Sequence, residues 1–214
     1  MIFHDRADAG RQLGLALKVL VAKSEIVVLG IPRGGVIVAS QVARALDAPL
    51  DICVAHKIGA PGNPEFAIGS VAAEGEPFID EKITHAFRFP ASYLKAEIDE
   101  QRREIFRRIT LYRGGRPEIS LEGKTVILVD DGIATGATVS AALGFLSHRA
   151  ATRIVLAAPV GAVEVCGRLS RLTDQVVVLD TPENFRAVGE FYRDFGQVTD
   201  NEVIIALATA KQTP

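Results

Sequence analysis

The chain is poor in the features that mark specialised proteins. Only two of its 214 residues are cysteine, Cys53 and Cys166. They lie too far apart for a metal knuckle and sit in apolar or helical patterns. Both therefore read as buried free thiols suited to a reducing compartment. The four histidines, His4, His56, His85 and His148, show no metal-ligand spacing. Neither sign of charge dominates: 24 basic residues stand against 26 acidic ones, a net charge of −2. That balance excludes the basic footprint expected of a duplex-binding protein. No apolar run approaches the roughly 18 residues of a membrane span. The opening Met1-Ile-Phe-His-Asp-Arg6 has no basic segment followed by an apolar one, so no signal peptide is predicted. The expectation is a cytoplasmic protein without nucleic-acid or membrane partners. Internal repeats, low-complexity tracts and a domain linker are lacking too.

What is present fits one globular domain over residues 1–214. Hydrophobic residues make up 48% and charged residues 23%, an ordinary balance for a packed core. A chain of this mass can bury roughly 70% of its extended surface. Ala9, Leu13, Ala16, Leu17 and Leu20 recur at helical spacing. Ile26 to Leu29 reads as a buried strand, the glycine-rich segment 30–35 as a loop, and Val36 to Leu46 as a helix. Leu50 to Ala55 is then a second strand. This strand–loop–helix–strand unit is expected to be parallel with a right-handed crossover. The pattern returns with strands at Thr125–Val129, Ile154–Ala158 and Val176–Leu179, and helices around 141–146 and 163–172. The alternation predicts an α/β fold, a doubly wound parallel sheet covered on both faces.

Two stretches break that rhythm. Residues 57–80 carry Gly59, Pro61, Gly62, Pro64 and Gly69 and read as a long loop followed by short strands. Residues 80–115 read as a helical insertion. Within it Ser92 to Tyr112 form one long helix, capped by Ser92. Its stripe is Leu94, Ile98, Ile105 and Ile109, its i,i+4 ion pairs are Asp99–Arg103 and Glu104–Arg108, and its other face is solvated.

The most informative segment is Val126-Ile-Leu-Val-Asp130-Asp131-Gly-Ile-Ala134-Thr135-Gly136-Ala137-Thr138. An apolar strand delivers two adjacent carboxylates at its C-terminal end, where ligands bind in open parallel sheets. A loop of small and hydroxyl residues follows and opens a helix, whose free N–H groups suit a phosphate. No lysine follows the glycine, so this is not the triphosphate loop G-x-x-x-x-G-K-S/T. Two acids beside a phosphate cradle would repel the phosphate unless they face another part of the ligand. Sugar hydroxyls fit, so a five-carbon sugar phosphate is the natural ligand.

Residues 126–138 resemble the signature of the type I phosphoribosyltransferases. The spelling is closest to the adenine phosphoribosyltransferases. Ala134 stands where the hypoxanthine–guanine branch carries an aspartate, which argues against a 6-oxopurine substrate. The resemblance implies 5-phosphoribosyl-1-diphosphate (PRPP) as donor. Asp130 and Asp131 would hold the ribose hydroxyls, and Ala134, Thr135, Gly136, Ala137 and Thr138 the 5-phosphate. It also implies Mg²⁺ carried mainly by substrate, with Asp130 or Asp131 reaching it through water or substrate, and a homodimer.

The resemblance extends further. Gly30-Ile-Pro-Arg33-Gly34-Gly35 looks like the diphosphate loop, with Arg33, Gly34 and Gly35 as contacts and a strained peptide plausible within it. The segment from His56-Lys57 to Gly69 stands where the family carries its mobile catalytic loop. Lys57 is expected at the diphosphate. His56 fits either a ligand contact or a plain strand-end residue. Glu65 fits either an acid or base near the nucleophile or a loop-ordering carboxylate. With Lys57 and Asp131 it completes the catalytic candidates. Residues 181–214 resemble the family's hood, where Phe185, Tyr192 or Phe195 either stack on the acceptor or pack in the core. The implied activity is phosphoribosyl transfer to a nitrogenous base or similar small molecule with release of diphosphate. The alternative is a non-enzymatic PRPP-sensing regulator on the same fold.

Overall fold

A computed structural model describes residues 1–20, 25–73 and 77–210, without the side chains of Pro64, Glu65 and Glu81. The apolar runs pair as their composition demands. Strands β1 (Ile26–Gly30), β2 (Leu50–Ile52), β6 (Thr125–Val129), β7 (Arg153–Val160) and β8 (Gln175–Asp180) form one five-stranded sheet in the order β2-β1-β6-β7-β8. Every pairing in it is parallel. Alternate residues feed opposite faces, as the two-residue period of a strand requires. Val28, Ile127 and Val155 pack on one side with helices α1 (Arg6–Leu20), α2 (Gly34–Leu46), α4 (Ala91–Arg113) and α7 (Asp200–Thr209). Val27, Val126, Leu128 and Leu156 pack on the other with α5 (Ala137–Leu146) and α6 (Val163–Leu169). The expected doubly wound sheet is present. Both cysteines are buried and free; burial pushes the Cys53 thiol up to about 12.

Strand order fixes where a ligand can sit. From β1 the chain moves through α2 to β2 on one side, and β6 then returns to the other side of β1. The connections diverge at that seam, leaving a crevice beyond the carboxyl ends of β1 and β6.

Residues 50–80 depart from the sequence reading. The run Leu50–Ala55 is not one strand: β2 ends at Ile52, and Ala55 begins β3 (Ala55–Ala60) in a second sheet. β3 pairs antiparallel with β4 (Asn63–Ala72), and β5 (Phe78–Ile79) adds a third strand. Short strands are present as expected, but the long loop predicted before them is replaced by the β3–β4 hairpin. Ala60 pairs with Asn63, so Pro61-Gly62 alone makes the turn, with Gly62 at φ 74°.

The insertion is helical as expected, though in two pieces, α3 (Glu81–Phe87) and α4. Helix α4 is not capped by Ser92: it begins at Ala91 after Pro90, with no side-chain cap. Ile105 and Tyr112 are buried against the core. Glu104 pairs with Arg108 and also with Arg107, whereas Asp99 and Arg103 do not pair. After β8 the chain runs through a short 3₁₀ turn (Val188–Phe191) to α7. Thr199 and Glu202 cap α7 reciprocally, a strong N-terminal signal.

Candidate active site at the sheet seam

Strands β1 and β6 end in step: Gly30 lies opposite Val129, and Ile31 N–H donates to the Val129 carbonyl at 2.9 Å. The loops that follow, residues 31–35 and 130–138, are therefore neighbours despite the 94 residues between them. Gly34 shows how close they come. A Cβ there would fall 1.9 Å from Asp131 Oδ2 and 2.6 Å from its Cγ. Only hydrogen fits, so the Asp131 carboxylate rests on the main chain of the Gly34-Gly35 segment. The peptide bond from Pro32 to Arg33 is cis.

The two acids differ in surroundings. Arg6, the first residue of α1, donates from Nε to Asp131 Oδ2 at 2.7 Å. Its Nη1 donates to the Gly196 carbonyl, and its guanidinium lies 3.9 Å above the Phe195 ring. Asp131 is thus a paired carboxylate. Asp130 has no such pair among the described residues; its Oδ1 accepts the Asp131 N–H at 2.9 Å. Desolvation, with the Asp131 charge beside it, pushes the Asp130 carboxyl well above the usual carboxylate range.

The Thr135–Thr138 turn is formed as the residue types predict. Gly136 takes φ 72° at the start of α5, where other residues are strained. Ala137 N–H reaches Thr135 Oγ1 at 3.4 Å. Arg168 of α6 donates from Nη2 to the Thr135 carbonyl at 2.8 Å. C=O and N–H point in opposite directions in a trans peptide. Arg168 therefore turns the Gly136 N–H away from itself. Ala134, Thr135 and Thr138 are exposed at this end of the sheet.

A cavity of about 410 Å³ extends from this crevice beneath the hairpin. Its lining includes Pro32, Lys57 and Thr138 together with His56, Gln101 and Arg108. Lys57 and Pro32 of the 30–35 loop thus line the same cavity. Tyr93 of α4 donates to the Gly59 carbonyl at 2.9 Å and ties the hairpin to the helix. The Glu65 side chain lies outside the described residues.

Several expectations need correction. The Arg33 backbone is in the loop, but its guanidinium is directed to Asp200 of α7, 3.7 Å away. Tyr192 is not a stacking platform. It is buried, its ring packs against Phe3 and Phe195, and its hydroxyl donates to the Asp131 carbonyl at 2.6 Å. It positions the acid pair from behind. Phe185 stacks on Phe191, with ring centroids 5.4 Å apart. The segment carrying these rings does cover the acid loop: a Cβ at Gly132 would strike Val188 at 2.4 Å.

Residue types alone missed Arg6, Arg168, Tyr93 and Gln101. Arg6 and Arg168 sit on helices whose apolar stripe was the visible signal. Tyr93 and Gln101 sit on a face whose charge density reads as solvated. The i,i+4 pair Glu97–Gln101 was the one local clue there.

A model of the phosphoribosyl transferase domain matches residues 14–195. A protein of Mycobacterium tuberculosis (strain H37Rv), provisionally named a phosphoribosyl transferase, is 43% identical over 209 residues, 98% of this chain and 47% of its own length. The chain thus spans about half the length of the curated relatives it matches. The crystal structure of the TT1426 protein of Thermus thermophilus superposes with a TM-score of 0.86 at 45% identity, covering 97% of this chain and 98% of that one. The AQ2163 protein of Aquifex aeolicus shares the fold at 16% identity and a TM-score of 0.50, covering 86% of this chain and 78% of that one. The chain belongs to the phosphoribosyl transferase family. No helix among the described residues is long and apolar enough to cross a membrane.

Proposed function

We propose that the protein transfers the phosphoribosyl group of PRPP to a nitrogenous acceptor, a nucleobase-like heterocycle, and releases diphosphate. The observation that carries this reading is the register of β1 and β6. It sets the Gly34-Gly35 main chain, the acid pair and the Thr135–Thr138 turn around one crevice.

Each part has a task. Asp130 and Asp131 accept hydrogen bonds from the ribose hydroxyls. The turn at the start of α5 meets the 5-phosphate with main-chain N–H groups and the Thr135 and Thr138 hydroxyls. Residues 32–35 hold the diphosphate, and Lys57 offsets charge that grows on it as it leaves. The C1–O bond breaks through an oxocarbenium-like state, and the electron pair departs with diphosphate. The hairpin, tied to α4 by Tyr93, keeps water from the sugar cation.

Asp130 also fits a substrate-borne Mg²⁺, since its desolvated carboxyl has no cation bonded to it among the described residues. Mg²⁺ keeps several waters and substrate oxygens and needs only one or two carboxylates from a protein. When bound, Mg²⁺ supplies charge neutralisation on the diphosphate.

Calorimetry with PRPP and Mg²⁺ tests the donor, and a panel of bases and amines scored by diphosphate release tests the transfer. Heat of binding and release with at least one acceptor are expected. No heat at millimolar PRPP overturns the reading. Binding without release across the panel favours a PRPP sensor.

A further inference from the structure

His56, left ambiguous by its sequence position, has its protonation pattern set by its neighbours. Its Nδ1 lies 2.8 Å from Gln101 Oε1. One turn earlier on α4, Glu97 Oε1 accepts from Gln101 Nε2 at 2.9 Å. An ionised carboxylate can only accept, so the amide nitrogen of Gln101 must face Glu97. Its oxygen then faces His56, and that oxygen needs a hydrogen on Nδ1. A neutral imidazole carries one such hydrogen, so Nε2 keeps a lone pair. Among the described residues no hydrogen bond reaches Nε2.

The surroundings favour the neutral ring. Burial pushes His56 below the ordinary histidine range. Arg108 acts in the same direction, while Gln101 and Glu104 oppose it. Lys57, the next residue in β3, and Tyr93 and Cys53 line the same cavity. That cavity adjoins both Pro32 of the diphosphate loop and Thr138 of the phosphate turn. A lone pair repels the oxygens of diphosphate. The ligand group that suits it is a hydrogen-bond donor, such as the N–H of an incoming nucleophile.

Resting on the phosphoribosyl-transfer reading, we propose that His56 Nε2 is the base that takes the proton of the incoming nucleophile, with Gln101 and Glu97 as positioning residues. The acceptor is then a heterocycle or amine that reacts through an N–H. As its nitrogen bonds to C1, the proton moves to Nε2. The C1–O bond breaks, and its electron pair leaves with diphosphate. The imidazolium afterwards returns the proton to solvent.

Two measurements decide the matter. The first needs no acceptor: nitrogen-15 NMR of the histidine ring in the free protein. Hydrogen on Nδ1 is expected in the wild type. Glu97→Gln, which frees Gln101 to turn over, should redistribute it. The second compares His56→Asn with wild type on an acceptor from the panel. Asparagine keeps a donor toward Gln101 but cannot act as base. Turnover at neutral pH should fall by about 10²- to 10⁴-fold, while affinity for Mg²⁺–PRPP stays within about twofold. The wild-type kcat/KM should decline on the acid side below pH 6.5, the ordinary histidine value, and His56→Asn should lose that limb. Hydrogen on Nε2 in the free wild type, or wild-type turnover by His56→Asn, overturns the proposal. Failure of the wild type to bind Mg²⁺–PRPP overturns the donor reading and this one together. Wild-type binding with either of the two former results overturns this one alone.

Discussion

Along the β1–β6 seam, the groups that the proposed function assigns to a phosphorylated sugar are main-chain amides or short side chains. On the β3–β4 hairpin and α4, the groups lining the cavity are long: Lys57, His56, Gln101, Arg108. The seam is held by parallel strand pairing and by a close approach at Gly34 that a methyl group would destroy. The hairpin is held to α4 by side-chain bonds, Tyr93 to Gly59 and His56 to Gln101. Backbone-built sites resist change because no rotamer can relieve a misfit. Side-chain-built sites can be retuned one residue at a time. A donor shared across a family suits the first kind of construction, and an acceptor that varies suits the second.

Gly34→Ala tests the rigid half most severely. Its Cβ would overlap the Asp131 carboxylate, and Arg6 Nε lies only 2.8 Å from the same point. Both loops hang from paired strands, so neither can withdraw. Affinity for Mg²⁺–PRPP, measured calorimetrically, should fall by about 100-fold or more, at the upper end of the roughly 1–3 kcal/mol cost of overpacking. An affinity within threefold of wild type would show that the seam yields, and the contrast with the hairpin would fail.

A smaller effect separates the two acids. Asp130→Asn should weaken Mg²⁺–PRPP binding by about 10- to 100-fold, the worth of one hydrogen bond to a charged group. The free protein should nonetheless melt at a higher temperature. A carboxyl whose folded pKa is raised binds more protons folded than unfolded, so stability falls as pH climbs above the unfolded value. The gain from Asp130→Asn should therefore be absent below pH 3.8, the ordinary aspartate value, and grow above it. Asp131→Asn should do the opposite and lower the melting temperature, because it strips Arg6 of its partner in a mostly buried pair. Equal melting shifts for the two variants would mean that the acids share one environment.

The legibility of the molecule divides along the same line. The seam could be read because its signals are local: an apolar run, two acids, then Thr135-Gly136-Ala137-Thr138. Each fixes a short stretch of backbone, and parallel pairing does the rest. The hairpin was misread because Gly59, Pro64 and Gly69 break up the alternation that marks a strand. Pro61-Gly62 does spell a tight turn, with proline and a glycine of positive φ at its centre. That cue was lost among its neighbours. The partners of the acid pair were beyond local reading. Arg6 meets Asp131 across 125 residues, and Tyr192 meets it across 61. Nothing in either neighbourhood encodes the other. Tyr192 also shows why an aromatic in a hood-like segment is ambiguous: its ring satisfies the core and its hydroxyl satisfies a carbonyl.

The smallest predicted effect asks whether even the rigid half contains an adjustable part. Arg168 reaches the Thr135–Thr138 turn through the Thr135 carbonyl, and it lies on the exposed side of α6. Removing it leaves strand pairing and Gly136 untouched but frees the Thr135–Gly136 peptide to rotate. One hydrogen bond of this kind contributes about 0.5–1.5 kcal/mol. Arg168→Ala should therefore weaken ribose 5-phosphate, which depends on the turn, by about 2- to 10-fold. Inorganic diphosphate depends on residues 32–35 and should bind as before. Lysine at 168 can still donate to the carbonyl and should restore part of the loss. If both ligands weaken equally, Arg168 acts through general stability or long-range charge. If only the phosphorylated sugar suffers, the turn owes its shape to a side chain on the neighbouring helix as well as to its own glycine.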